Sequence, residues 1–187
     1  MDLVRTSTAA TVLDIGDVRD HLGIDGTGLD PVLNACQRAA VDVIERECNI
    51  QIGPATFVLT TDFPACRGDI TLPKPPVVAV QSVAYIDAAG NTQTLDPTAY
   101  RVGTARPGRL LVRPGRTWPE TARGGAVTIT FTAGHALNNL PESLLHAVRL
   151  LVGHYFENRE ATSTLTVKDV PFEVEMILNQ HRFMEAV

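Results

Sequence analysis

The chain has 187 residues, of which 44% are hydrophobic and 20% are charged, and its formal net charge is −5. This composition is typical of a soluble globular protein and excludes a disordered one, and the negative charge argues against a general nucleic-acid binder, which would present a basic surface. No run of about 18 apolar residues predicts a transmembrane helix, and the first residues lack the apolar core of a signal peptide. We therefore expect a cytoplasmic protein with no membrane contact.

Two helices are predicted in the first fifty residues. Residues 1–13 indicate an arm-like terminus, and residues 14–23 predict a short helix that is capped by Asp17. A longer helix begins at Asp30, which we interpret as its cap because proline follows at the first helical position. The apolar face of this helix is predicted to carry Val32, Leu33, Cys36, Ala39, Ala40, Val43 and Ile44, and its polar face Asn34, Arg38, Asp42 and Glu45.

Residues 51–135 change to short β-type runs that are separated by proline and glycine turns. The predicted strands are Thr56–Thr61, Asp69–Leu72, Val77–Ile86, Thr92–Leu95, Ala99–Val102, Arg109–Val112 and Ala126–Thr132. In the last run Val127, Ile129 and Phe131 alternate with threonines, which is typical of an antiparallel strand with one buried face. The spacing of roughly ten residues favours a β-meander or a small sandwich over β-α-β units.

Two more helices are predicted after the β-rich section. The stretch Pro141–Asn158 is the strongest helix signal, and its apolar stripe consists of Leu144, Leu145, Val148, Leu151, Val152, Tyr155 and Phe156. Residues 161–169 predict a mobile loop, and Pro171–Arg182 predicts a final helix. The apolar side of that helix is predicted to carry Phe172, Met176, Ile177 and Leu178.

The order of these elements predicts an α+β fold in a single composite domain of residues 1–187. The N-terminal helices (14–50) and the C-terminal helices (140–182) form a helical bundle, and residues 51–135 form an inserted antiparallel β-rich lobe. Residues 1–13 and 183–187 are predicted to be arm-like termini.

No catalytic, cofactor-binding or metal-binding pattern is present. The chain lacks a P-loop, a dinucleotide fingerprint, a nucleophile elbow and an H-E-x-x-H motif. Its three cysteines match neither a disulfide framework nor a zinc motif, and its five histidines form no metal-binding pair. We therefore predict no cofactor.

Two groups of residues are candidates for interactions. Arg101, Arg106, Arg109 and Arg113, with Trp118, Arg116 and Arg123 nearby, form a basic cluster in the β-rich section. Three interpretations stay open for it: scattered solvated charges, contact with an acidic neighbour such as a second copy, and contact with phosphate or DNA. Apolar residues also end the chain, at Phe183, Met184 and Val187, where they either pack on the chain's own core or anchor a partner.

The sequence resembles the head–tail connector (adaptor) proteins of long-tailed phages, prophages and gene-transfer particles. The resemblance runs from Asp14 to Arg182. Its most specific parts are the strand that ends I-T-F-T-A-G at Gly134 and the helix that ends Y-F-E-N-R at Arg159.

This resemblance implies a non-enzymatic virion component at the head–tail interface, assembled in the host cytoplasm. It implies a homo-oligomeric ring of about twelve copies that contacts the portal protein and a tail-side completion protein. DNA would pass through the ring without sequence-specific contact. The candidate residues for portal docking are Phe183, Met184 and Val187, and the candidates for the subunit interface are Arg101, Arg106, Arg109, Arg113 and Trp118.

Two alternatives stay open. One is another phage tail-completion protein. The other is a small cytoplasmic enzyme or ligand-binding protein with a cleft between the bundle and the β lobe, in which His135, His146, Glu157 and Arg159 are the residues to test.

Overall fold

A computed structural model describes residues 1–7, 11–64, 68–104, 106–122, 124–158 and 171–183. This part of the chain contains four α-helices and two antiparallel β-sheets, which confirms the predicted α+β class. The chain divides into two compact units, the β unit (Met1–Thr8 and Pro54–His135) and the helical unit (Ala9–Gly53 and Ala136–Val187). The single composite domain with its bundle and β-rich insert stays a prediction.

Among the described residues, eight strands form the β unit. They are β1 (Asp2–Arg5), β2 (Ala55–Thr61), β3 (Ile70–Leu72), β4 (Val77–Ile86), β5 (Thr92–Thr94), β6 (Tyr100–Gly103), β7 (Gly108–Val112) and β8 (Val127–Ala133). The larger sheet has the order β1-β2-β8-β4-β5, and the smaller sheet has the order β3-β7-β6. Strand β8 lies in the middle of the larger sheet and pairs with β2 along its whole length.

Side chains from both sheets form one hydrophobic core, so the unit is a small sandwich. The rings of Phe57 and Phe131 stack in this core with their centroids 5.6 Å apart. Gly108 of the smaller sheet lies against Val77 of the larger sheet. A Cβ atom at Gly108 would lie 2.8 Å from the Cβ of Val77, so the close approach of the two sheets requires glycine here.

The N-terminus differs from its prediction. Residues 2–5 form β1 instead of a free arm, and they pair antiparallel with β2, with Leu3 opposite Leu59. The edge of β2 supplies backbone hydrogen-bonding groups, and Leu3 packs against the β core. The arm-like prediction is therefore wrong for these residues.

The helical unit contains α1 (Ile15–Leu22), α2 (Asp30–Glu47), α3 (Glu142–Glu157) and α4 (Phe172–His181). Asp14, and not Asp17, caps α1, because its carboxylate accepts a hydrogen bond from the backbone N–H of Gly16 at 2.7 Å. Asp30 is the first residue of α2 and makes no cap bond; its carboxylate lies 3.3 Å from the Nε atom of Arg19.

The buried face of α2 is rotated from the predicted one. Leu33, Ala40 and Ile44 are fully buried as expected, whereas Val32 and Ala39 are exposed. Instead of Val32 and Ala39, the helix buries Gln37, Val41 and Glu45. Periodicity gives the apolar side of a helix, and the position of its neighbours decides which rows are covered.

Glu45 was predicted on the polar face and is instead only 6% exposed. Its carboxylate accepts hydrogen bonds from the backbone N–H of Ile52, at 3.0 Å, and from the side-chain amide of Gln51. Burial of this carboxylate is tolerated because both hydrogen bonds compensate for its lost contact with water. The same two bonds tie the segment after α2 to the helix.

The predicted stripe of α3 is confirmed at its centre, where Leu144, Val148 and Leu151 are buried. In α4 the prediction is partly wrong: Val174 and Leu178 are buried, whereas Phe172 is 67% and Met176 54% exposed. The predicted mobile loop at 161–169 lies outside the described residues. None of the described helices is long and apolar enough to cross a membrane.

Candidate functional site

The outer face of the smaller sheet carries part of the basic cluster. In the β6–β7 hairpin, Arg101 pairs with Leu111, and Gly103 pairs with Arg109. The alternate residues Tyr100 and Leu110 are buried in the β core. Because successive side chains of a strand point to opposite faces, the four paired residues lie on the face that points away from the core.

A hollow of about 350 Å³ opens on this face. Its lining consists of Arg101, Val102, Gly103, Arg106, Pro107, Arg109 and Leu111. A Cβ atom at Gly103 would lie 3.3 Å from the Cδ1 atom of Leu111. The missing side chain at Gly103 therefore keeps the hollow open. We call this feature the arginine hollow.

The arginine hollow carries positive charge that the described part of the chain does not neutralise. Nη1 of Arg109 lies 3.5 Å from a carboxylate oxygen of Asp69. Arg101 and Arg106 make no ion pair or hydrogen bond with any described residue. Gly103 and Leu111, which lie next to these arginines in the lining, are apolar, and we call them the apolar floor. Two guanidinium groups without a partner among the described residues, beside an apolar floor, suit a ligand that combines carboxylates with an apolar group.

The other predicted interface residues are engaged within the β unit. Nε of Arg113 donates to the backbone carbonyl of Tyr100 at 3.1 Å. Hydrogen bonds from Thr98, and more weakly the charge of Arg116, lower the pKa of Asp96. Arg123 lies outside the described residues. The structure thus brings together Arg101, Arg106 and Arg109 and leaves Arg113 apart.

Trp118 is buried within a single copy. It is 8% exposed, and its indole N–H donates to the carbonyl of Gly68 at 2.8 Å. Its ring stacks on Phe63 with the centroids 4.7 Å apart. The tryptophan thus packs in the β core, and its predicted part in a subunit interface stays a prediction.

The structure describes one of the three candidate portal-docking residues, Phe183. Phe183 is partly buried against the helical core, and its backbone N–H donates to the carbonyl of Cys48 at 2.8 Å. Met184 and Val187 lie outside the described residues. Phe183 therefore matches the interpretation of packing on the chain's own core, and portal docking stays a prediction.

Of the residues of the alternative enzyme hypothesis, Glu157 lines a hollow of about 400 Å³ in the helical unit together with His21 and His154. His146 is exposed on α3, His135 belongs to the β unit, and Arg159 lies outside the described residues. Within the described ranges, no group of three or more histidine, cysteine or acidic side chains is placed to hold a metal ion. A hydrogen bond of 2.7 Å between Ser143 and Nε2 of His181 joins the start of α3 to the end of α4.

One surface was missed by the sequence interpretation. Phe172 and Met176 lie four residues apart on α4, and both are exposed, as are the neighbouring Glu173 and Glu175. We call these four residues the α4 face. The two closely spaced glutamates were the signal that this side of the helix meets water or a charged partner and not the core.

The two units carry opposite net charges. The β unit has nine lysine and arginine residues and six acidic residues, a net charge of +3. The helical unit has seven basic and fifteen acidic residues, a net charge of −8. One chain thus contains both partners of a complementary electrostatic contact.

Comparison with known proteins gives a consistent result. The family model described as head completion protein matches residues 11–184. No match to a curated protein is found.

Solved structures with a similar fold come from gene transfer agent (GTA) particles. A chain in the neck of an empty GTA particle, computed with C6 symmetry, has a TM-score of 0.83 and 27% identity. Chains in the virion of a native GTA particle and in the neck of a native particle computed with C12 symmetry have TM-scores of 0.81 and 0.80, each with 28% identity. In all three cases the match covers 100% of this chain and 98% of the other.

These matches confirm the resemblance inferred from the strand and helix ends. Because the family model spans most of its length, the chain belongs to the head completion protein family.

Proposed function

We propose that the chain is a structural head–tail connector (adaptor) whose copies form a ring between the portal and the tail. The observation that carries this proposal is the full-length likeness to a chain of the GTA neck. In this role the protein is a virion component without enzymatic activity, assembled in the host cytoplasm and located at the head–tail interface.

The charge distribution supports a ring. A closed ring uses a heterologous interface, in which two different surfaces of each copy contact the two neighbours. A β unit of +3 and a helical unit of −8 supply unlike surfaces on one chain. The six-fold and twelve-fold symmetries of the similar neck structures support a ring of twelve copies.

The net charge also suits a DNA conduit. With a charge of −5 per copy, a ring presents a net negative surplus that repels the phosphate backbone. Repulsion keeps the passing DNA from binding the wall, and no sequence-specific contact is needed.

At the chain end, we propose that Met184 and Val187 contact the portal and that Phe183 anchors this segment on the helical core. Met184→Ser is then expected to weaken binding to purified portal without changing the melting temperature. Phe183→Ser is expected to lower the melting temperature, because a partly buried ring loses its packing. Unchanged portal binding by Met184→Ser would remove portal docking from the proposal.

The ring is tested by quantitative mass spectrometry of sedimented, DNA-filled particles from the source cells, with the soluble fraction as the control. We expect the chain to be enriched in particles at a fixed ratio to the portal protein. Recovery from the soluble fraction alone, while other neck proteins sediment with the particles, would contradict the proposed function.

A further inference from the structure

Two surfaces of the chain lack a partner within the described residues, and each has what the other lacks. The arginine hollow offers two free guanidinium groups around an apolar floor. The α4 face offers two exposed apolar side chains beside two exposed carboxylates. We propose that the α4 face of one copy docks in the arginine hollow of the next copy. This contact rests on the ring proposed above and specifies its interface.

The chemistry of the two surfaces matches in both its apolar and its charged parts. The side chain of Phe172 is 67% exposed, which places a phenyl ring in contact with water in the isolated copy. The floor at Gly103 and Leu111 is free of polar side chains. A volume of about 350 Å³ is within the range of pockets that take small organic groups, about 300–1,000 Å³. Burial of the phenyl ring there removes apolar surface of both copies from water.

The same docking brings the carboxylates of the α4 face to the arginines of the hollow. Glu173 and Glu175 flank the two apolar residues of α4, and Arg101 and Arg106 flank the apolar floor. Guanidinium groups pair with carboxylates through two parallel hydrogen bonds, and they also attract the face of an aromatic ring. In the proposed contact, Arg101 and Arg106 pair with the two glutamates and also lie against the ring of Phe172.

A second copy fits the hollow better than DNA does. A DNA surface needs an extended row of cations along the phosphates, whereas the lining of the hollow has two arginines that lack a partner within the described ranges. An apolar floor has no counterpart on a phosphate backbone. The helical unit, at −8, supplies the carboxylates, and every copy in a closed ring has both surfaces to offer.

Disulfide trapping in assembled particles tests this contact directly. Particles are produced with the double variant Thr104→Cys and Asn179→Cys, at exposed positions beside the hollow and on the same side of α4 as Phe172, oxidised, and analysed on a non-reducing gel. Because each copy gives one cysteine and receives another, we expect a ladder of dimers, trimers and larger covalent species. The two single variants and the wild type, which keeps the natural cysteines, are the controls and give no such ladder.

Charge reversal provides a second measurement that does not depend on disulfide geometry. Arg101→Glu with Arg106→Glu is expected to lower incorporation into particles about tenfold, as is Glu173→Arg with Glu175→Arg. All four substitutions together are expected to restore incorporation. Arg38→Glu with Arg46→Glu, at two exposed arginines of α2, is the control for the change of −4 in net charge, and melting curves of each variant verify the fold.

The outcomes separate the contact from the ring. Wild-type chain absent from particles rejects the proposed function itself. Wild-type chain present at a fixed ratio, with neither a ladder nor rescue by the four-fold charge reversal, overturns the contact and leaves the ring intact. A disulfide from position 104 to a different neck protein likewise overturns it, because the hollow then has another occupant.

Discussion

The two units use their carboxylates in different ways. In the β unit Asp62, Asp87 and Asp96 accept backbone N–H groups of nearby turns, at distances of 2.8–3.0 Å. In the helical unit Glu45 is buried, whereas acidic residues such as Asp17 and Glu173 are exposed on helix surfaces. Three of the six acidic residues of the β unit thus hold turns through hydrogen bonds. The fifteen acidic residues of the helical unit include several that are displayed on helix surfaces, where they are available to a charged partner.

The largest expected effect comes from the core of the helical unit. Leu151 is fully buried, and Leu151→Ala is expected to lower the free energy of unfolding by about 2–5 kcal/mol. Urea denaturation is followed by far-UV circular dichroism for the helices and by the fluorescence of Trp118, the single tryptophan, for the β unit. We expect the larger shift in the dichroism midpoint.

Leu137→Ala is the matched control, because Leu137 is 51% exposed and its truncation is expected to change the free energy by less than about 0.5 kcal/mol. Equal shifts of the dichroism and fluorescence midpoints for Leu151→Ala would show that the two units unfold together. Such a result would contradict the treatment of the two units as separately stabilised.

The next effect belongs to the β unit. Gly108→Ala places a Cβ atom 2.8 Å from that of Val77 and is expected to destabilise the protein by about 1–3 kcal/mol through overpacking. Here the fluorescence midpoint is expected to shift most. Gly103→Ala is the control in the same hairpin, because the nearest atom to its Cβ is the flexible end of Leu111 at 3.3 Å, and its contacts with Arg109 lie at ordinary distances of 3.7 and 3.9 Å. A similar loss from both variants would contradict the assignment of Gly108 to the contact between the sheets.

The buried carboxylate of the helical unit comes third. Glu45→Ala leaves the buried N–H of Ile52 without its acceptor, at an expected cost of about 1–3 kcal/mol. Asp42→Ala removes an exposed carboxylate from the same helix and serves as the control. Equal thermal stability of these two variants would show that the carboxylate of Glu45 does not anchor the segment after α2.

The smallest effect is a dependence of the β unit on pH. Hydrogen bonds from Ala126 and Gly125 lower the pKa of Asp62, and those from Asn91 and Gln93 lower the pKa of Asp87. Because both pKa values are lower in the folded state than the ordinary 3.8, the stabilisation is complete above that pH. It is lost as the pH falls through the folded pKa values.

We therefore expect the fluorescence-detected melting temperature to fall below about pH 3.8. Asp62→Asn is expected to make this fall shallower. A wild-type melting temperature that stays constant down to pH 2.5, or an unchanged slope in the variant, would argue against carboxylates holding these turns.

The strands were more predictable than the helix faces, for a physical reason. Alternation over Val127–Ala133 reports burial directly, because each second residue faces the core whichever strands lie beside it. In α2 and α4 the covered rows depend on neighbours that are distant in sequence, and this is why Val32 and Phe172 were misplaced. Glu45 was misjudged because its hydrogen-bonding partners become apparent only in the folded chain.

The candidate site shows the same limit. The basic cluster was visible as a run of arginines, and the sequence placed Arg101, Arg106 and Arg109 among the interface candidates. What the sequence lacked was the pairing register, which puts Gly103 beside Arg109 and opens the hollow. Local contacts also distinguish Arg113, which donates to the carbonyl of Tyr100, from Arg101 and Arg106, for which the described part of the chain supplies no partner.

The central position of β8 has a consequence for synthesis of the chain. β8 is the last of the described strands to leave the ribosome, and it separates β2 from β4 in the larger sheet. A nascent chain that ends before Val127 has β1 and β2 on one side and β4 and β5 on the other, with nothing to join them. The sheet therefore closes only when about two thirds of the protein has been made, and premature termination before this point yields two exposed strand edges that are prone to aggregation.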